Sequence, residues 1–129
     1  MKGNLGIIGS GSMVGSQTGN GLQSEGFTIV EADLNGENKI DITNPQSVYK
    51  FFQDNDFRWA ILFSAFTDVD QAEKQRSKKN ALCWQINVEG TKNILEACQK
   101  YGRRLIFFST DFIFDGEKGP YSEEDQPGP

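Results

Sequence analysis

Four short runs of the chain, residues 5–8, 27–30, 60–63 and 105–108, are almost continuously apolar instead of alternating between apolar and polar. A strand with one wet face alternates, so runs of this kind point to strands covered on both sides, as in a parallel sheet. The stretches between them read as helices. Residues 12–24 form the first, although Gly19 and Gly21 each cost it about 1 kcal/mol relative to alanine. The second starts with Asn44 as cap and Pro45 in the first turn. It presents Val48, Phe51 and Phe52 on one face and should run to about residue 53. A third covers residues 80–101, with Leu82, Ile86, Gly90, Ile94, Ala97 and Tyr101 on one side, Gly90 allowing close approach to the sheet, and Gly102 ending it. Strand and helix alternating in this way predict an α/β, doubly wound parallel sheet with right-handed crossovers. At 129 residues with 36% apolar content, one such unit has enough material for a single core.

The first apolar run passes directly into GSGSMVG at residues 9–15. Glycines are needed at such a point for a tight turn, for close backbone approach to a pyrophosphate, and for seating a helix on the strand. The helix start then offers unpaired N–H groups and partial positive charge. Gly9, Gly11, Ser12, Met13, Val14 and Gly15 are therefore candidate cofactor-binding residues. Asp33 follows the second run, roughly 20 residues past the glycines, where an acid takes the adenosine ribose hydroxyls of a dinucleotide. A carboxylate there repels a 2′-phosphate, which makes NADH at least as good a ligand as NADPH. The alternatives are that Asp33 is an ordinary strand-end turn residue, or that the loop serves a mononucleotide or flavin. A second glycine pattern at residues 18–21 follows no strand and reads as helix.

Charge and composition narrow the function classes. A net charge of −5 argues against electrostatic capture of nucleic acid or of an anionic membrane, so phosphate binding must be local. The chain has no histidine, which removes Ser–His and Cys–His nucleophilic catalysis and His-ligated metal sites, and no metal site is expected. Cys83 and Cys98 lack metal-ligand spacing and are expected as buried free thiols. No apolar run approaches a membrane span and no secretory leader opens the sequence, so a cytoplasmic setting is expected. The basic run Lys74, Arg76, Lys78 and Lys79 reads as a solvated helix start, with a partner or 2′-phosphate surface as the alternative. Residues 116–129 are rich in glycine, proline and acid, read as loop, and leave the impression of a chain that halts part-way through a domain occupying residues 1–115.

Four further stretches carry a family likeness: DITNPQSV at residues 41–48, AFTDVDQAE at 65–73, INVEGTKNILEAC at 86–98 and STDFIFDGEKGPY at 109–121. With the glycine turn, these make the chain resemble the dTDP-4-dehydrorhamnose reductases of the extended short-chain dehydrogenase/reductase superfamily. The resemblance implies a Rossmann-type fold binding NADH or NADPH, and a nucleotide-linked 4-keto sugar as substrate of the full-length parent, which could be a homodimer. It implies that Asp41 and Ile42 border the adenine, and that Ala65, Phe66 and Thr67 border the cofactor's phosphates and ribose. By the same likeness Thr110 contacts the substrate carbonyl, Asn87 is the catalytic helix asparagine, and Asp111 and Phe112 border the substrate. Without the likeness, Thr110 is a strand-end turn, Asn87 a helix-packing amide, and Asp111 and Phe112 strand-end packing. Similar domains also occur in the methionine adenosyltransferase beta subunit, so a non-catalytic regulatory module is the second functional reading.

The departures from the family pattern are specific. Ser12 stands where the family's loop has a glycine, with Gly11 displaced by one position. Leu62 replaces an asparagine, and Ser64 with Ala65 replaces an alanine pair. The family's YxxxK, which holds the proton-donating tyrosine, is absent from these residues, and so is most of the substrate-binding region. The fold is accordingly expected to be incomplete, and the 129 residues alone to be inactive.

Overall fold

A computed structural model describes residues 2–128. Met1 and Pro129, the outer limits of the two expected regions, lie outside the described residues. The four apolar runs become parallel strands, β1 (Asn4–Ile8), β2 (Thr28–Ala32), β3 (Trp59–Leu62) and β4 (Arg104–Phe107), in the order β2-β1-β3-β4. Leu5 lies opposite Ile29 and Trp59, and Ala60 opposite Leu105, so the hydrophobic runs stay in register across the sheet. From β1 the chain turns outward to β2 and then crosses to β3 on the other side. The carboxyl ends of β1 and β3 thus diverge into a crevice, the switch point at which open α/β sheets bind ligands.

Successive strand residues face opposite sides, and the two sides are filled differently. Ile8, Ala60 and Leu62 meet Val48, Phe51 and Phe52 of α2 (Pro45–Asp54) and Ile94, Ala97 and Cys98 of α5 (Thr91–Tyr101), all buried. The Phe52 and Phe57 rings meet edge to face at 5.1 Å, a geometry that adds about 1 kcal/mol to the area they bury. On the opposite side, α1 (Met13–Ser24) sits on Ile7, and glycine makes that possible. A Cβ at Gly19 would already lie 3.4 Å from the Ile7 Cδ1, whereas one at Gly21 would meet nothing.

Local signals set the helix ends. Ser12 caps α1 by accepting from the Gly15 N–H at 3.0 Å, and Asn44 caps α2 by accepting from Gln46 at 3.0 Å. Gly102 ends α5 in a left-handed conformation, φ +65°. Three sequence expectations need correction. The third helix begins at Leu82, as α4 (Leu82–Trp84), and passes through a π-helical stretch (Gln85–Gly90) before α5. Leu82 is exposed, because it stands ahead of the part that packs on the core. Gly90 serves close approach to the loop residue Ile42 and not to the sheet, for a Cβ there would be 2.7 Å from Ile42 Cγ1.

A short helix, α3 (Val69–Lys74), capped by Asp68, was not foreseen. The basic run therefore falls at its end and in the loop before α4, where Arg76 pairs with Glu73 at 3.0 Å and Lys79 lies over the Trp84 ring. Cys98 is buried as expected, but Cys83 is only half-buried. Beyond a 3-10 turn (Asp111–Ile113), the described residues form no further helix or strand. No helix among the described residues is long and apolar enough to cross a membrane.

Candidate dinucleotide and substrate cavities

The glycine turn is shaped by packing as much as by conformation. Gly9 adopts φ +88°, and a Cβ there would fall 2.6 Å from the Ser64 nitrogen. A Cβ at Gly15 would fall 2.3 Å from the Gly9 carbonyl oxygen, so only glycine lets α1 begin this close to the turn. The turn is tied to the end of β2 by the Gly9 N–H and the Ser10 N–H, which both donate to the Ala32 carbonyl at 2.8 and 3.1 Å. Ser12 closes it internally, its hydroxyl donating to the Gly9 carbonyl at 2.8 Å while capping α1.

Between this turn and the loop after β2 lies a cavity of about 650 Å³, within the range of cofactor sites. It brings together Gly9, Gly11, Ser12, Asp33, Asp41, Ile42 and Ala65. Asp33 accepts from the Gly11 N–H at 2.8 Å and, with its other oxygen, from the Leu34 N–H at 2.7 Å. It is a turn-forming residue and a cavity residue together. Asp41 spends one carboxylate oxygen on Thr43, accepting from its N–H at 2.9 Å and its hydroxyl at 2.7 Å. That bond pattern folds the loop on which Ile42 sits. The loop is then held from the long helical path, where Asn93 donates to the Ile42 carbonyl at 2.8 Å and Gly90 abuts the Ile42 side chain.

A second cavity of about 570 Å³ shares Ser64 and Ala65 with the first and continues along the carboxyl edge of β3 and β4. It contains Phe66, Thr67, Asn87, Thr110 and Phe112. Asn87 uses both ends of its amide on the backbone of one residue: Oδ1 accepts from the Phe66 N–H at 2.7 Å and Nδ2 donates to the Phe66 carbonyl at 3.0 Å. Asn87 thus acts through the Phe66 backbone as a positioning residue. It does so from the π-helical stretch, a local irregularity that often marks functional positions. The Thr110 hydroxyl caps the 3-10 turn, accepting from the Phe112 N–H at 3.2 Å.

Met13, Val14, Gly15 and Asp111 line neither cavity. The Met13 and Val14 side chains are 74% and 53% exposed, and their backbone stands at the start of α1. Residues that sequence reasoning passed over also line the cavities, among them Leu34, Asn35, Thr43, Ser64, Cys83 and Ser109. Thr43 and Ser109 stand inside the motifs at residues 41–48 and 109–121, Leu34 and Asn35 directly follow Asp33, and Cys83 lies just ahead of the motif at 86–98. Among the described residues, no group of acids and thiols is arranged to hold a metal ion.

A dinucleotide fits what is present. The turn admits no Cβ where a diphosphate would lie close, the first turn of α1 carries no acidic residue, and Asp33 faces the same cavity.

Comparison with known proteins agrees with this geometry. The model of the RmlD substrate binding domain family matches residues 3–129. A dTDP-4-dehydrorhamnose reductase of Mycobacterium tuberculosis is 32% identical over 128 residues, spanning 95% of this chain and 39% of that protein. The crystal structure of the Bacillus anthracis dTDP-4-dehydrorhamnose reductase, a complex with NADP, superposes with TM-score 0.87 at 34% identity, covering 100% of this chain and 44% of that one. The bovine methionine adenosyltransferase 2 subunit beta matches over only 45 residues, at 42% identity. The chain spans about two fifths of the length of the reductases it matches. With a parallel sheet, a glycine turn at the switch point and a family match over nearly its whole length, the chain belongs to the RmlD substrate binding domain family.

Proposed function

We propose that this chain is the NAD(P)H-binding part of a cytoplasmic sugar-nucleotide reductase acting on a dTDP-linked 4-keto deoxysugar. The observation that carries the reading is the pair of cavities joined at Ser64 and Ala65, one beside a phosphate turn and the other beside a strand-end hydroxyl. Gly9, Gly11 and Ser12, with the backbone of Met13 and Val14, would hold the diphosphate. Asp33 would take the adenosine ribose, and Asp41 with Ile42 would border the adenine. Ala65, Phe66 and Thr67 would border the second ribose, and Asn87 keeps that loop in place through Phe66. When bound, the nicotinamide supplies the hydride. Thr110 would donate to the substrate carbonyl, and Phe112 and Asp111 would flank the sugar.

NADH is the better ligand in this reading, because the lining of the first cavity includes Asp33 and Asp41 and no lysine or arginine to meet a 2′-phosphate. The 129 residues contain no tyrosine followed four positions later by lysine, so turnover by this polypeptide is not expected. The second reading, a non-catalytic nucleotide-binding module, draws on exposed apolar residues at the sheet edge, Phe107, Phe108 and Phe112.

Titration with NADH and with NADPH, followed by nicotinamide fluorescence, tests the site. Saturable binding with NADH the tighter is expected, and binding of neither ends the dinucleotide reading. Adding a dTDP-4-keto sugar should leave NADH unoxidised; oxidation would show that these residues suffice for catalysis.

A further inference from the structure

Both oxygens of the Asp33 carboxylate already accept backbone N–H groups of the chain itself. The backbone of Asp33 is fixed on either side as well. The Asp33 N–H donates to the Asn38 carbonyl at 3.2 Å, and the Asp33 carbonyl accepts from the Ile40 N–H at 2.9 Å. The Gly11 bond is different in kind from the others that tie the phosphate turn to β2. Gly9 and Ser10 are held by a backbone carbonyl, which no substitution removes, whereas Gly11 is held 22 residues away by a side chain. A Cβ at Gly11 would lie 2.9 Å from Asp33 Oδ2, so a side chain there would push the carboxylate aside.

We infer that Asp33 is a positioning residue for the phosphate turn, in addition to any contact it makes with ribose. This rests on the reading of the first cavity as a dinucleotide site. By fixing the Gly11 peptide, the carboxylate sets the turn in the form in which the free N–H groups of α1 face a diphosphate. A charge-assisted bond to a backbone N–H is among the stronger local restraints available. Losing Asp33 therefore weakens diphosphate binding whether or not the ligand has ribose hydroxyls. Neutralising it does not turn the chain into a tight NADPH binder, since the relief of repulsion at a 2′-phosphate is offset by a loosened turn.

The test compares Asp33→Ala and Asp33→Asn with the parent chain in calorimetric titrations of ADP and 2′,3′-dideoxy-ADP. The second ligand has no hydroxyl for Asp33 to bind. The alanine variant is expected to weaken both ligands by about tenfold, and the asparagine variant, which keeps one acceptor oxygen, by less. Unchanged dideoxy-ADP binding beside weakened ADP binding would overturn the inference and leave the ribose contact standing. If the parent chain binds neither nucleotide, the dinucleotide reading fails, and amide hydrogen exchange then decides the positioning role alone. The Gly11 amide should exchange at least about tenfold faster in the alanine variant, with the Gly9 amide unchanged as internal control. Equal Gly11 rates in the two proteins would overturn the inference.

Discussion

The two cavities share one wall and differ in how their other walls are held. In the first, every loop is fastened from a distance: the glycine turn to Ala32 and Asp33, and the loop at Ile42 to Asn93 and Gly90. Ile40 and Ile42 are buried beneath it. In the second, Asn87 clamps Phe66, Phe107 pairs with Leu62 in the sheet and Phe108 stacks on Phe63, while Phe107, Phe108, Thr110 and Phe112 remain exposed along the sheet edge. In the proposed function, the nucleotide would meet the cavity with the more buried and more fully fastened loops, and the substrate the one with the more exposed edge. Pre-organisation lowers the ordering cost of binding only where the walls are already immobile.

The strongest way to break the first cavity is Gly15→Ala. Its methyl would lie against the Gly9 carbonyl, so α1 must shift from the turn, at a cost of about 2–3 kcal/mol in chemical denaturation and with loss of measurable NADH binding. A variant that binds NADH normally would show the turn to be more plastic than its contacts imply. Asn87→Ala separates the two cavities. It leaves both the N–H and the carbonyl of Phe66 without that partner, at about 1–3 kcal/mol, and should weaken NADH by about tenfold while ADP binding stays within about twofold. Equal losses for both ligands would mean that the cavities behave as one unit.

The thiols report the same contrast. Cys83 opens into the second cavity, whereas burial pushes the Cys98 thiol up to about 11, the charge of Arg103 lowering it somewhat. Alkylation of the folded chain should therefore label Cys83 at least about tenfold faster than Cys98, read by peptide mass spectrometry. Since burial favours the neutral form of Cys98, its contribution to stability is intact below the ordinary value of 9.0. It is lost as pH rises from there through about 11. The smallest effect is expected where neither cavity is touched. Gly21→Ala on the open side of α1 should stabilise the chain by about 0.5–1 kcal/mol without changing nucleotide affinity.

Much of the scaffold was legible in the residues, and the reasons are local. Each strand lies within two residues of its apolar run. For β1 and β3 the reason is burial on both faces, but the expectation of cover on both sides fails for β4, an edge strand whose apolar residues stand largely exposed among the described residues, and holds only in part for β2. Asn44, Pro45 and Gly102 mark helix ends because caps and left-handed turns act over three or four residues, whereas the capping role of Ser12 emerges from the structure. The helix α3 escaped notice for the same reason in reverse: six residues with none buried leave no periodic apolar face to read. Of the candidate site residues, those on the glycine turn and in the four motifs could be singled out, but their division between two cavities could not.

By itself the sequence determined an alternating α/β chain, a glycine turn suited to a phosphate, and an acid at the end of the second strand. Only the tertiary structure decided that Asp33 holds Gly11, that Asn87 grips the Phe66 backbone, and that Asn93 and Gly90 secure Ile42. These pairs are separated by 22, 21 and, for Asn93 and Ile42, 51 residues. Hydrophobic periodicity and capping report on neighbours within a helical turn or a strand, whereas such contacts come into being only once the strand order has brought distant loops to one edge of the sheet.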